Sequence, residues 1–208
     1  MPYQVLIVEE QEMPRQLLEI FIGQNKNYQH MGSTSNAILA VDLCRLKKVD
    51  LILIDVCTDL GSSGLDAAEE IKQEFPEIKI IIVTSMPEFS WLNRARMIGV
   101  DSFWYKEAHK DSILEVMDKT MNGERIFPEE TPCVAIGNTN NHEFTRRELE
   151  ILKELITGDS NAKIGERLNV SAGTVKRHIE NMLNKTGFHT RTELVAEAGR
   201  LGIVLKWF

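Results

Sequence analysis

The feature that most constrains the fold of this chain is the alternation of short apolar runs with helical patterns over its first 122 residues. The runs "VLIV" at 5–8, "LILI" at 51–54 and "IIIV" at 80–83 have the length and continuous apolar character of buried strands. Each is followed by a segment with the apolar spacing of a helix. Strands that are apolar on both faces and alternate with helices form parallel sheets covered on both sides. This half therefore predicts an α/β domain.

The two halves of the chain differ in their predicted elements. In the first half, strands are expected at 4–8, 27–32, 51–55, 79–84 and 101–105, with helices at 12–23, 35–47, 65–75, 88–98 and 110–121. The second half has helical patterns and no convincing strand; these patterns cover 146–157, 160–168, 172–186 and 191–201. Between the halves, "GERIFPEETPCVAIGNTNNHE" has two prolines and a polar cluster, which predict a connector. The predicted division is a domain at 1–122, a linker at 123–142 and a domain at 143–208.

The sequence lacks the features of a secreted or membrane protein. No apolar run approaches the roughly 20 residues that a membrane helix needs. The start, "MPYQVLIVEE", has neither a basic region nor a signal-peptidase site. Three cysteines without CxxC spacing predict neither a disulfide framework nor a zinc site. We therefore expect a cytoplasmic protein with no membrane contact.

The negative charge of the chain is unevenly distributed. The formal net charge is −7, and residues 1–125 account for it with 20 acidic and 13 basic residues, whereas residues 126–208 have 11 of each. Residues 160–192 contain six basic and two acidic residues. A surface that faces nucleic-acid phosphates requires such a local basic cluster. The overall acidity therefore does not exclude DNA binding by the second half.

Polar side chains stand where the predicted strands of the first half end. The acidic pair Glu9 and Glu10 follows the first strand, Asp55 the third, Thr84 the fourth and Lys106 the fifth. If the strand order brings these ends together, they form one pocket at the edge where α/β sheets bind ligands. Two unit charges about 4 Å apart repel by about 4 kcal/mol at an effective dielectric near 20. Three carboxylates therefore need cations, which Lys106 and a Mg²⁺ ion would supply.

An acidic pair, an aspartate, a threonine and a lysine in this order resemble the receiver domain of bacterial two-component response regulators, over roughly residues 3–122. The resemblance implies that Asp55 accepts a phosphoryl group from a sensor histidine kinase. It also implies a Mg²⁺ site in which Glu10 and Asp55 bind the ion directly. The backbone carbonyl of Cys57 would be a further ligand, and Glu9 would act through water.

The same resemblance assigns roles to residues of the fourth and fifth strands. Lys106 would pair with the phosphoryl oxygens, Thr84 would hydrogen-bond to them, and Phe103 would swing inward as Thr84 moves. The chain departs from the usual pattern because two glutamates replace two aspartates and because Asp59 adds a negative charge near the pocket. These departures leave open an atypical receiver that acts independently of phosphorylation.

A phosphohydrolase is a rival interpretation of an aspartate that follows a strand. Aspartyl-nucleophile phosphohydrolases typically have a second aspartate two residues further on, and this chain has Cys57 there. We therefore expect no enzyme activity beyond phosphotransfer to the protein itself.

The second half has the helix starts of a helix-turn-helix. Thr145 with Glu148 matches a capping box, Ser160 and Ser171 suit helix N-termini, and the short "NVS" at 169–171 joins two helices. At about 100° per residue, the helix after Ser171 separates an apolar face from a basic face that carries amides. Such a face suits phosphates and base edges in the major groove.

The stretch "TRRELEILKELITGDSNAKIGERLNVSAGTVKRHIENMLNKTG" is similar to the LuxR-type helix-turn-helix of NarL/FixJ response regulators, over roughly residues 143–203. The resemblance implies a small all-α domain of four helices that binds double-stranded DNA, with Lys176 and Arg177 on the recognition helix. The residues expected on the DNA-binding face are Thr174, Lys176, Arg177, Glu180, Asn181 and Lys185.

Apolar residues recur along the last predicted helix with a spacing that suits two roles. In the family the corresponding helix forms the dimer on DNA, and the alternative is that the apolar stripe closes the four-helix core. The residues are Leu194, Val195, Ala198 and Leu201.

These patterns together predict a DNA-binding transcriptional response regulator that is a homodimer when active. The expected architecture is an α/β receiver domain with a flavodoxin-like, five-stranded parallel sheet, followed by the helix-turn-helix domain. Two alternatives stay open. In one, dimerisation or another ligand controls DNA binding without phosphorylation; in the other, the receiver domain is mainly a protein-interaction module and DNA binding is weak.

Overall fold

The computed structural model describes residues 1–106 and 112–205, which form two compact units. The first unit comprises Met1–Ser85 and Ser90–Glu130, and the second comprises Met86–Phe89 and the chain from Thr131 onward. The predicted start of one helix at 110 and the predicted end of the second domain at 208 lie outside the described residues. In the described part, no helix combines the length and the apolar character that a membrane span requires.

The first unit is a parallel sheet flanked by helices. Its strands lie in the order β2-β1-β3-β4-β5, and every neighbouring pair is parallel. The strands are β1 Tyr3–Val8, β2 Tyr28–Thr34, β3 Leu51–Ile54, β4 Lys79–Thr84 and β5 Ser102–Tyr105. The helices are α1 Glu12–Gln24, α2 Ala37–Leu46, α3 Gly64–Glu74, α4 Phe89–Ile98 and α5 Ile113–Met121.

The order of the strands brings the polar strand ends together. β1, β3, β4 and β5 are consecutive neighbours in the sheet, although β2 separates two of them in sequence. The register aligns Val8 with Ile54, and Ile54 with Ile82, so the strands end close to the same level. All of β3 is buried, and so is β4 except for Lys79, as expected for a sheet covered on both faces.

The second unit combines four helices with a small hairpin. The helices are α6 Arg146–Leu155, α7 Asn161–Leu168, α8 Ala172–Thr186 and α9 Arg191–Arg200. Their start signals act as predicted: Thr145, Ser160 and Ser171 each accept a hydrogen bond from an amide three residues further on. α7 and α8 are joined by a short turn, as a helix-turn-helix requires.

The predicted linker at 123–142 contains a short hairpin that the sequence did not indicate. Strands β6 Ala135–Ile136 and β7 Thr139–Asn140 pair antiparallel through a turn in which Gly137 has a φ of +57°. Two residues per strand are too few to produce an alternating pattern in the sequence. The hairpin is fixed by tertiary packing, because Ile136 is fully buried in the core of the unit and the Asn138 amide donates to the Thr186 carbonyl oxygen.

Candidate functional site

The structure assembles the predicted pocket at the strand ends of the first unit. Lys106 extends its ammonium group between two carboxylates, with Nζ 2.5 Å from Glu9 Oε2 and 2.7 Å from Asp55 Oδ2. Glu9 is 1% exposed and Asp55 is 6% exposed, so both charges are largely removed from water. Thr84 ends β4 and is buried, and its carbonyl oxygen accepts the Lys106 amide at 3.0 Å. The four residues therefore belong to one pocket.

The charges in this pocket are only partly balanced. Burial raises the pKa of Glu9 above its usual range, and the negative charge of Asp55 adds to the effect, although Lys106 opposes both. Burial by itself would lower the pKa of Lys106, but Asp55 and Glu9 outweigh it and raise that pKa. One ammonium group thus faces two carboxylates that repel each other, and a second cation would relieve the repulsion.

The remaining predicted metal ligands lie at the mouth of the pocket. Glu10 is exposed, and its pKa is raised by desolvation and by the charges of Asp59 and Asp55. Cys57 donates its amide to Asp55 Oδ1 at 3.3 Å. Burial, together with the negative charges of Asp55, Glu10 and Glu9, raises the pKa of the Cys57 thiol to about 12, which keeps the thiol protonated near neutral pH.

The donor set suits Mg²⁺ although the side chains do not form a complete cage. Among residues 1–106 and 112–205, no three His, Cys, Asp or Glu side chains converge on one metal position. Mg²⁺, however, usually binds one or two carboxylates and keeps several water ligands. The two carboxylates and the backbone carbonyl predicted as direct ligands are hard oxygen donors of this kind. The excess negative charge, which raises the pKa of Glu10, also favours a divalent cation.

Sequence reasoning missed the residues that fix the loop after Asp55. A Cβ atom at Gly64 would lie 1.9 Å from the Asp55 carbonyl oxygen, so only glycine fits at this first position of α3. The buried hydroxyls of Thr58 and Ser62 are 2.6 Å apart, and both accept the Ala37 amide at the start of α2. The stretch "GSSG" at 61–64 could have indicated a close backbone approach.

Phe103 already occupies a buried position. Its side chain has no exposed surface and packs against Tyr105, with ring centroids 5.0 Å apart. The ring is already in the inward position, so this structure does not contain the outward position from which the expected swing would start. Whether the ring moves therefore stays a prediction, and the structure provides its inward end point.

Helix α8 of the second unit, the predicted recognition helix, presents the predicted polar face to solvent. Lys176, Arg177, Glu180 and Asn181 are all exposed, while Val175 on the opposite face is fully buried. Lys176 lies 3.7 Å from Glu180 one turn away, an exposed pair of small energetic weight. Arg177 has no side-chain partner within the described part of the chain. Its guanidinium group is thus available for phosphates or for a guanine edge.

Two other residues predicted to contact DNA are engaged within the domain. Lys185 Nζ lies 2.8 Å from Glu148 Oε2 and 2.8 Å from the Glu143 carbonyl oxygen, and Glu148 is only 2% exposed. Thr174 is half-buried, and its amide donates to the Ser171 hydroxyl at the start of α8. The structure therefore places Lys185 in an ion pair that joins α8 to α6, rather than on a free surface.

The apolar stripe of α9 divides between the two roles left open by its spacing. Leu194 and Ala198 are fully buried in the core of the unit, so they cannot reach a partner unless that core opens. Val195 and Leu201 pack at the edge of the same core and keep some exposed surface. The packing therefore disagrees with dimerisation through all four residues. Val195 and Leu201 stay candidates for a dimer interface.

Comparisons with known proteins place the chain in a family. The family model of the response regulator receiver domain matches residues 5–118, and that of the luxR family of bacterial regulatory proteins matches residues 142–198. The response regulator protein VraR of Staphylococcus saprophyticus is 32% identical over 204 residues, which cover 95% of this chain and 97% of VraR. VraR of Staphylococcus epidermidis is 31% identical with the same coverage.

Solved structures share the fold at low sequence identity. A structure of two RcsB dimers bound to two parallel DNAs has a TM-score of 0.64 at 15% identity, covering 96% of this chain and 98% of RcsB. The response regulator ChrA of a heme-sensing two-component system has a TM-score of 0.52 at 19% identity, covering 96% and 97%. These likenesses confirm the predicted fold class. By its two matching domain families and its VraR relatives, the chain belongs to the two-component response regulators that join a receiver domain to a LuxR-type, DNA-binding helix-turn-helix domain and regulate transcription.

Proposed function

We propose that a sensor histidine kinase switches this regulator by phosphorylating Asp55. The observation that carries the proposal is the buried contact of Lys106 with both Asp55 and Glu9 at the ends of neighbouring strands. A carboxylate oxygen of Asp55 would form the bond to phosphorus as the bond between phosphorus and the kinase histidine nitrogen breaks. Lys106 would then exchange its carboxylate partner for a phosphoryl oxygen, and Thr84 would donate its hydroxyl hydrogen to another.

A Mg²⁺ ion would be held by Glu10, Asp55 and the backbone carbonyl of Cys57, with Glu9 acting through water. When bound, the ion supplies positive charge against the phosphoryl oxygens. Within this site the protein residues orient the acceptor. The Cys57 amide and the Lys106 ammonium bind different oxygens of Asp55 and so fix its carboxylate plane.

The DNA-binding domain would engage double-stranded DNA through the exposed face of α8. We assign direct contacts to Lys176, Arg177 and Asn181, with Glu180 able to accept from a cytosine amino group. The protein would bind two half-sites as a homodimer in the cytoplasm. In this arrangement the receiver domain is residues 1–122, the linker 123–142 and the DNA-binding domain 143–208, with no enzymatic turnover beyond phosphotransfer to Asp55.

One observation favours a second candidate, in which the receiver acts without phosphorylation. Both carboxylate oxygens of Glu9 already have partners, because Oε1 accepts the Gln11 amide at 3.0 Å and Oε2 accepts from Lys106. A Mg²⁺ site that involves Glu9 therefore has to compete with these contacts.

Intact-mass spectrometry with a small phosphodonor, with and without Mg²⁺, separates the two candidates. We expect a Mg²⁺-dependent phosphoryl adduct on the full chain and none on Asp55→Asn. Asp59→Asn is the matched control, because it removes a nearby carboxylate without removing the acceptor. An adduct that persists in Asp55→Asn would refute the assignment of the acceptor. No adduct with the donor, nor with any purified histidine kinase, would favour the phosphorylation-independent regulator.

A further inference from the structure

The segment that follows α5 turns back onto the edge of the sheet. Gly123, with a left-handed φ of +91°, reverses the chain after the helix. Ile126 then lies beside β5: the Phe103 amide donates to the Ile126 carbonyl oxygen at 2.8 Å, and the Ile126 amide donates to Ser102 Oγ at 3.1 Å. We call residues 125–128, which cover this outer edge of β5, the edge strap.

Two arginine side chains fix the edge strap in place. The Phe127 ring lies 5.3 Å from the guanidinium carbon of Arg96 on α4 and 5.7 Å from that of Arg125, within cation–π distance of both. Arg96 also donates to the Pro128 carbonyl oxygen at 2.8 Å, and Arg125 donates to the Val100 carbonyl oxygen at 2.9 Å. The edge strap is thus bound by its side chains as well as by its backbone.

The residue that the edge strap binds is the predicted switch residue. The Phe103 ring is buried within the unit while its amide points outward to Ile126. The neighbouring Ser102 is also buried, and its hydroxyl lies 2.7 Å from that of Thr120 on α5. Because Arg96 holds the far end of the edge strap, a shift of Phe103 along or out of β5 would stretch the Phe103–Ile126 hydrogen bond.

We propose that the edge strap couples the position of Phe103 to the start of the segment that leads to the DNA-binding domain. The bound edge strap favours the buried position of Phe103. Displacing Phe103 would therefore weaken the contact of the edge strap with β5, and releasing the edge strap would make Phe103 easier to displace. This inference rests on the proposed function, since phosphorylation of Asp55 would be the event that acts on Phe103. Residues 129 onward continue the chain from Pro128, so the edge strap is the first part of the connector to respond.

Amide hydrogen exchange, measured by NMR on the full chain, tests the coupling without a phosphodonor. Arg96→Gln removes one of the two cations beside Phe127, together with the guanidinium group that donates to Pro128. Arg94→Gln is the matched control, because it changes the same residue type on the same helix, where the guanidinium group pairs with Asp66 and Glu69 instead. We expect the Phe103 amide to exchange about tenfold faster in Arg96→Gln and at the wild-type rate in Arg94→Gln.

The reciprocal variant is Phe103→Leu, which shortens the buried side chain. We expect it to accelerate exchange of the Ile126 amide by a similar factor of about ten. The coupling is wrong if Arg96→Gln leaves the Phe103 amide protected from exchange, or if Phe103→Leu leaves the Ile126 amide protected.

Phosphorylated wild-type protein provides a further test of the coupling. Once intact mass has verified the phosphorylation, the exchange rates of both amides should change together, by about threefold or more. Full phosphorylation without such a change would also overturn the coupling. A failure to form any phosphoryl adduct would count against the proposed function alone, since the two variants decide the coupling separately.

Discussion

A large electrostatic contribution to stability is expected from Asp101, at the edge of the sheet opposite the Asp55 pocket. Its carboxylate accepts from Lys72 Nζ at 2.5 Å, from Lys79 Nζ at 2.9 Å and from the Ile80 amide at 2.9 Å. The Lys72 side chain is only 11% exposed, whereas that of Lys79 is 31% exposed. Asp101→Ala would leave a nearly buried ammonium group without its anion and a buried amide without its acceptor.

The magnitude follows from these contacts. Removing one partner of a buried ion pair costs about 3–5 kcal/mol, while the more exposed contact with Lys79 adds at most about 1 kcal/mol. We expect Asp101→Ala to lower the free energy of unfolding by about 3–5 kcal/mol. Asp101→Asn should cost about 2–3 kcal/mol, because the amide oxygen can still accept from Ile80 while the charge is lost.

Urea denaturation followed by tryptophan fluorescence measures this loss, since Trp91 and Trp104 both lie in the receiver unit. Asp42→Asn is the matched control: its ion pair with Arg45 is exposed, so the midpoint should not change. A free energy of unfolding for Asp101→Ala within about 1 kcal/mol of the wild-type value would contradict a strong contribution from this ion pair.

A pH series gives an independent check of the Asp101 ion pairs. Burial alone would raise the pKa of Asp101, but the hydrogen bonds from Lys72 and Lys79 outweigh it and lower the pKa below its usual value near 3.8. A lowered folded-state pKa means that the stabilisation is complete above about pH 4 and is lost as the pH falls through the folded-state value. Wild type and Asp101→Asn should therefore differ in stability at neutral pH and converge below that range.

Three further substitutions test the two sites. In a fluorescence-anisotropy titration, Arg177→Ala should weaken DNA binding by about 1–3 kcal/mol and lower its salt dependence. The control Arg200→Ala, outside α8, should change neither. Equal effects of the two substitutions would contradict the assignment of α8 as the recognition helix. Gly64→Ala should abolish phosphorylation or destabilise the receiver, because its Cβ would collide with the backbone carbonyl oxygen of Asp55. Gly23→Ala, with open space around it, should instead stabilise α1 by about 0.5–1 kcal/mol. A fully phosphorylated Gly64→Ala protein would disprove the predicted collision. Lys185→Met should destabilise the DNA-binding domain by about 3 kcal/mol, measured by urea denaturation with circular dichroism, because its glutamate partner is buried. Weaker DNA binding at unchanged stability would instead support the DNA contact first expected of this residue.

The sequence by itself determined the local elements of this protein. Continuous apolar runs such as "LILI" specify buried strands, and Ser171 starts α8 where its hydroxyl caps the helix, because strand burial and helix capping depend on residues close together in the chain. The same patterns placed Glu9, Asp55 and Lys106 at strand ends, since parallel strands share one carboxyl edge.

Only the tertiary structure decided which partner each charged side chain has. Lys106 and Glu9 are 97 residues apart, and Lys185 and Glu148 are 37 apart. The family resemblance put Lys185 on the DNA-binding face, but it could not indicate that α6 would bring a buried carboxylate within 2.8 Å. The edge strap was likewise hidden within a predicted linker. Hydrogen bonds and ion pairs between distant segments depend on how the elements pack in space, and a sequence pattern reports only which face of an element is apolar.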